Sequence, residues 1–228
     1  VALARRLLGV GVCTREKAAL LIGPPPDALE AGTGGLAAAL ASQGLRVVLF
    51  VATNGRFGGD PDNRTREQAE AARLLGAEVL WGNLADDGIT SGRATITPLE
   101  RAIAAVRPSL LLTHWPRYTH QDHRRLSAAT LSAARRVPNI FFYEGPSSYS
   151  FLPTTFFCID DPMDTKMKAL GSHQAQLCRT RIADFASATA LRRAAEARLG
   201  RYAEGFVPFR TALFLGDEFV HDEEDRRG

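Results

Sequence analysis

The chain has 228 residues, 45% of them hydrophobic, with 28 basic and 25 acidic residues and a net charge of +3. This describes a globular protein with chain enough for one α/β core, and it excludes a disordered, charge-dominated polymer. The basic residues are scattered and matched by acids, with no basic stripe interleaved with aromatics, so no nucleic acid is expected as a partner. No apolar run approaches the roughly 18 residues that a membrane span requires, so no membrane partner is expected either. The cysteines, Cys13, Cys158 and Cys178, are odd in number, far apart and outside any CxxC spacing. That argues against a disulfide framework and a cysteine-based zinc site, and it favours a reducing, cytoplasmic setting.

Residues 1–16 are expected to form a leader or short helix. The apolar patch before Cys13 is too short for a signal peptide. From there, apolar runs alternate with helical patterns. Ala18 to Ile22 is predicted as a buried strand and Ala28 to Gln43 as a helix stopped at Gly44. Arg46 to Ala52 reads as a strand covered on both faces, followed by a Gly- and Asn-rich loop, Thr53 to Pro61. A helix is predicted over Arg64 to Leu75, a strand over Glu78 to Trp81, and a polar loop over Leu84 to Gly88. The next helix is predicted over Thr97 to Val106, with Pro98 in its first turn. A strand over Ser109 to Thr113 leads to His114, then a helix runs towards Pro138 and a fifth strand covers Asn139 to Tyr143. After Tyr143 the pattern loosens. A strand is expected over Thr155 to Ile159, helices over Thr165 to Gln176 and Ile182 to Leu199, and a last strand over Ala203 to Val207. Five short β-α alternations specify an α/β fold with a mostly parallel sheet. One domain is expected over residues 17–215, with a charged tail over 216–228.

Two stretches carry chemistry. Gly23-Pro24-Pro25-Pro26-Asp27 lies between the first strand and the first helix, at the carboxyl end of a parallel sheet, where open α/β folds keep their sites. Its prolines stiffen the turn, and Asp27 is the strong acceptor at its tip. The second is His120-Gln121-Asp122-His123, at the end of the fourth strand. With a helix starting near Gln121, the two imidazoles share one face, and Asp122 suits the first turn and can orient an imidazole. Such a pair can supply a metal ligand and an acid or oxyanion stabiliser. Gly32, Gly34 and Gly35 hint at a phosphate loop, but GxGxxG is absent and the prolines remove amide donors.

These two motifs, in this order and spacing, resemble the LmbE/PIG-L zinc-dependent N-deacetylases of amino-sugar conjugates. The first family motif is HPDD after a strand; the second is HxDH after the fourth strand. Thr53-Asn54-Gly55, Arg64 with Glu67, Asp86-Asp87-Gly88, Phe142-Tyr143-Glu144 and Arg201-Tyr202-Ala203-Glu204 also match. The resemblance covers roughly residues 17 to 210 and implies a three-layer αβα sandwich, Rossmann-like. It further implies hydrolytic N-deacetylation, with Asp27 as general base, His120 assisting at the oxyanion beside Asp122, and His123 as a zinc ligand. It gives substrate contact to Arg64, Asp86, Asp87 and His114. The other two ligand positions of the family fall on Pro25 and Ala28, whose side chains cannot coordinate zinc. The sequence therefore leaves three readings: a deacetylase of an amino-sugar-like small molecule, a pseudo-deacetylase whose pocket serves ligand binding or assembly with a partner, and a metal-independent reaction built on the Asp27/His120 pair. A homo-oligomer is compatible with each.

Overall fold

The computed structural model describes residues 17–212; the expectations for 1–16 and for the tail over 216–228 lie outside these residues. One seven-stranded sheet organises them. Its strands are β1 (Ala18–Gly23), β2 (Arg46–Val51), β3 (Glu78–Trp81), β4 (Leu110–His114), β5 (Asn139–Tyr143), β6 (Thr155–Cys158) and β7 (Ala203–Arg210). They lie in the order β3-β2-β1-β4-β5-β7-β6. The first five are parallel, and β7 pairs antiparallel with both β5 and β6. β1 is the central apolar run that the sequence announced, with Ala19, Leu20, Leu21 and Ile22 all at 0% exposure. Each such Leu or Ile contributes about 1.5–3 kcal/mol by leaving water.

Helices cover both faces. α1 (Ala28–Ser42) and α2 (Pro61–Leu75) pack on one side through Leu36, Leu40, Ala71 and Leu75, against Leu21, Leu49 and Leu112. α3 (Arg93–Val106) and α4 (Gln121–Ala133) cover the other through Leu99, Ala102, Leu126 and Ala129, against Leu20, Ile22 and Phe50. α5 (Met163–Gly171), the single turn α6 (Gln174–Leu177) and α7 (Ile182–Ala197) complete the first layer. In α5 and α7, Leu170, Ile182 and Ala186 pack on Ala31 of α1. The result is the expected three-layer αβα sandwich with a mostly parallel sheet.

Several boundaries differ from expectation, each for a local reason. α2 starts at Pro61 rather than Arg64, because Asp60 accepts from Asn63 N (2.9 Å) as an N-cap and Pro61 occupies the first helical position. α3 starts at Arg93, so Pro98 lies inside it and not in its first turn. The turn before the proline is closed by Thr95 N and Ile96 N on Gly92 O. β4 runs one residue later than expected and includes His114. The helix expected over 165–176 is split after Gly171, and His173 turns inwards at the break. β7 extends to Arg210.

The glycine-rich segment lies inside α1. A Cβ on Gly32 would overlap the Tyr143 ring and stand 2.8 Å from Glu144 O, and one on Gly35 would stand 2.8 Å from Ile159. These glycines serve close packing rather than phosphate binding. At the middle of α1 the Glu204 carboxylate accepts from Gly35 N (2.9 Å) and Leu36 N (2.8 Å), and it takes Lys166 Nζ at 2.6 Å. This buried carboxylate ties β7, α5 and α1 together.

Candidate active-site cleft

The strand order reverses between β1 and β4, so the loops leaving these two strands diverge and open a crevice at their carboxyl ends. The β1 loop brings Pro24 to Asp27, and the β4 loop brings Tyr118 to His120. Together with α4, the 53–58 loop and the start of α7 they enclose a cleft of about 670 Å³.

Asp27 is the N-cap of α1 in the left-handed region, φ 81°, and its side chain makes no capping bond. Holding a non-glycine residue there costs about 1–2 kcal/mol, and such strain concentrates at functional positions. The carboxylate is tied instead to Arg64, whose Nη2 donates to Asp27 Oδ1 (2.9 Å) and to Pro26 O (2.9 Å). One guanidinium thus fixes both the side chain and the backbone of the turn. Burial pushes the Asp27 carboxyl up to about 6, against the pull of Arg64 and His173 towards lower values. Arg64 itself is buried at 1% exposure, and its Nε and Nη1 have no hydrogen-bond partner.

Across the cleft, four rings gather. His123 stacks on Tyr118 at 4.2 Å, His114 meets His123 edge-on at 4.5 Å, and His120 lies 5.3 Å from His123. His120 caps α4, its Nδ1 accepting from Asp122 N at 3.2 Å. Burial pulls the His114 pKa down to about 3. Burial, with His114 and His120 alongside, holds His123 well below the ordinary value, so both rings are neutral near pH 7. Asp122 makes no hydrogen bond to an imidazole. Its Oδ1 accepts from Ile89 N (3.2 Å), pinning the loop after β3 to α4, and Oδ2 lacks a partner. Desolvation raises its pKa.

Nine of the ten positions singled out in the sequence line this cleft: Pro25, Asp27, Ala28, Arg64, Asp86, His114, His120, Asp122 and His123. Asp87 does not. It sits exposed at φ 58°, accepting from Gln121 Nε2 at 2.6 Å, because the Asp-Asp-Gly turn directs its second carboxylate outwards. Asp86 has a loop-building contact: it accepts from Thr53 Oγ1 (2.9 Å) and Phe57 N (3.0 Å). Missed in the sequence was His173, fully buried 3.4 Å from Glu30. No motif or periodicity marks it; only the third dimension brings it beneath the site.

The PIG-L family, described as GlcNAc-PI de-N-acetylase, matches residues 20–134. YaiS of Escherichia coli, described as an uncharacterized deacetylase, is 32% identical over 171 residues, covering 71% of this chain and 92% of YaiS. The chain belongs to the PIG-L family. The N,N′-diacetylchitobiose deacetylase of Pyrococcus horikoshii superposes with a TM-score of 0.76 at 23% identity, covering 91% of both chains. GalB of Pseudomonas putida, a 4-carboxy-2-hydroxymuconate hydratase, superposes with a TM-score of 0.79 at 20% identity, covering 88% of this chain and 99% of GalB. The same sandwich therefore hosts more than one reaction, and the site must carry the functional argument.

The zinc implied by the family resemblance has to be tested against the donors present. Among the described residues, no group of three or more His, Cys, Asp and Glu side chains could hold a metal ion. His123 Nδ1 is without a hydrogen-bond partner, and Pro25 and Ala28 on the facing loop bring no donor. The residues present do not fit a three-ligand zinc site.

Proposed function

We propose that the cleft binds an N-acylated amino-sugar conjugate, and that this chain is a divergent PIG-L member that has lost the family's zinc-dependent hydrolysis. The observation that carries this reading is the donor set. Catalytic zinc needs three protein ligands and an open position, and Pro25 and Ala28 replace two of the three that the family pattern supplies. The rest of the site is kept: the strained turn at Asp27, the Arg64 clamp, and the imidazoles facing them over the cleft. The ligand class follows from the relatives, whose descriptions name GlcNAc-PI and N,N′-diacetylchitobiose.

A second reading is favoured by one observation. A carboxyl pushed up to about 6 is poised near neutrality, where a general base works best, and His120 lines the same cleft. This reading keeps acyl hydrolysis but assigns it to Asp27 and His120 without metal.

Metal content of chelator-treated protein, before and after zinc incubation, tests the main reading. The expected result is no stoichiometric zinc on the natural chain. The Pro25→His/Ala28→Asp double variant should take up about one zinc, and adding His123→Ala should abolish it. Zinc held by the natural chain and lost with His123→Ala overturns the proposed loss. Titration with N,N′-diacetylchitobiose by calorimetry tests the ligand class, and absence of binding overturns it. Acetate released by the zinc-free natural chain, and abolished by Asp27→Asn, replaces the main reading with the second.

A further inference from the structure

Asp27, Arg64 and the imidazoles line one part of the cleft, whose volume of about 670 Å³ has room for more than one pyranose ring. The 53–58 loop forms another wall, and Phe57 is its one apolar side chain. The ring sits on the short 3-10 turn Arg56–Gly58, whose backbone is fixed from several sides. Phe57 N donates to Asp86 Oδ2 (3.0 Å), Gly58 N closes the turn on Gly55 O (2.8 Å), and Gly58 O accepts from Gln176 Nε2 of α6 (2.9 Å). Gly55, at φ 66°, lies so near Arg64 that a Cβ there would stand 2.8 Å from Nη2. That same nitrogen holds Asp27, so the turn carrying Phe57 is set directly on the Asp27 clamp. The ring itself is not packed away. Phe57 is 65% exposed, whereas Tyr118 and Ile182 of the same cleft are buried. The Arg56 guanidinium lies over one face of the ring, 4.9 Å from its centroid.

We propose that Phe57 is a specificity-determining residue: its bare face is the platform on which a second pyranose ring of the conjugate stacks, so that the cleft prefers a disaccharide to a single N-acylated amino sugar. The inference rests on the ligand class proposed above and adds which part of that ligand is read away from the acyl group. A β-linked glucosamine ring holds its hydroxyls equatorial and presents C–H bonds on its faces. Such a face is apolar and carries slight positive charge, which suits the negative face of a phenyl ring. Stacking removes water from both surfaces and so recovers hydrophobic free energy that an exposed Phe forgoes. Because the turn is already bonded in place, binding orders no loop and little entropy offsets the gain. A lone exposed apolar side chain on an open surface calls for no explanation. Phe57 differs by lying on the cleft wall, on a backbone pinned to the residues that frame Asp27.

Calorimetric titration of the full chain with N-acetylglucosamine and with N,N′-diacetylchitobiose tests this. The natural chain should bind the disaccharide about tenfold more tightly, the size of covering one face of a phenyl ring. Phe57→Ala keeps the backbone amide that Asp86 holds, so the melting temperature should not move. It should weaken the disaccharide about tenfold and leave the monosaccharide unchanged, whereas Phe57→Trp should keep or enlarge the preference. A Phe57→Ala variant that retains the preference, or weakens both sugars alike, overturns the proposal and leaves the ligand class standing. A natural chain that binds neither sugar overturns the ligand class and this inference with it. The p-nitrophenyl glycoside of N-acetylglucosamine carries a flat aryl group in place of the second sugar. A Phe57-dependent gain for that glycoside with none for the disaccharide overturns the assignment of the platform to a sugar ring.

Discussion

Replacing Asp27 by Asn should make the protein more stable, and only above acid pH. Asp27 has its carboxyl raised from 3.8 to about 6, so the native state holds the Asp27 proton more tightly than the unfolded chain does. The contribution of such a raised acid is fully present below pH 3.8 and is lost as pH rises to about 6. Roughly two pKa units at 1.36 kcal/mol each put the penalty near 3 kcal/mol at neutral pH and above. Asparagine resembles the protonated acid, keeps an oxygen for Arg64, and tolerates the left-handed backbone that the turn imposes. Denaturant unfolding of both proteins from pH 3 to pH 8 should therefore show curves that coincide in acid and separate through about pH 4 to 6. The Asn variant should end about 3 kcal/mol ahead, several degrees of melting temperature for a chain of this size. Groups that do not interact with Asp27 titrate alike in both proteins and cancel in the difference. A gain that does not vary with pH, or an Asn variant that loses stability as pH rises, refutes the account of Asp27 as a desolvated acid incompletely compensated by Arg64.

Four further outcomes probe the frame that holds the cleft. Glu204→Ala leaves Lys166 as an uncompensated buried cation and frees two amides in α1, so stability should fall by about 3–5 kcal/mol in denaturant titration. A loss below 1 kcal/mol would mean that the Glu204 contacts are dispensable. Gly32→Ala forces a methyl into Tyr143 and Glu144 and should cost about 1–3 kcal/mol. Gly171→Ala, with nothing within 4 Å of the new methyl, should be neutral or gain up to about 1 kcal/mol in a thermal melt. Asp86→Asn removes an acceptor from the 53–58 loop, so exchange of the Phe57 amide should quicken severalfold while the global unfolding free energy falls by only about 1 kcal/mol.

Much of this molecule was legible in the chain because its signals are local. The apolar runs at 18–22, 46–52 and 139–143 read as strands, the second as one covered on both faces, and Gly44 and Gly76 stand where helix termini need left-handed backbone. The two motifs at 23–35 and 120–123 sit at strand ends, so their common edge of the sheet followed from the β-α alternation alone. What the tertiary structure decided concerns burial and charge between elements distant in sequence. In the sequence Arg64 reads as a solvated arginine near the start of a helix, and only the packing of α2 on α1 makes it the buried clamp of Asp27. Asp87 was indistinguishable from Asp86 until the turn sent it outwards. His173 carried no signal whatever, because a buried pair with a residue 143 positions earlier leaves no periodicity to read. The sequence determined which elements form and which loops meet, since propensity and hydrophobic pattern act over a few residues. The protonation states on which the chemistry of the cleft depends were decided by the fold, because desolvation and Coulomb forces depend on distance in space.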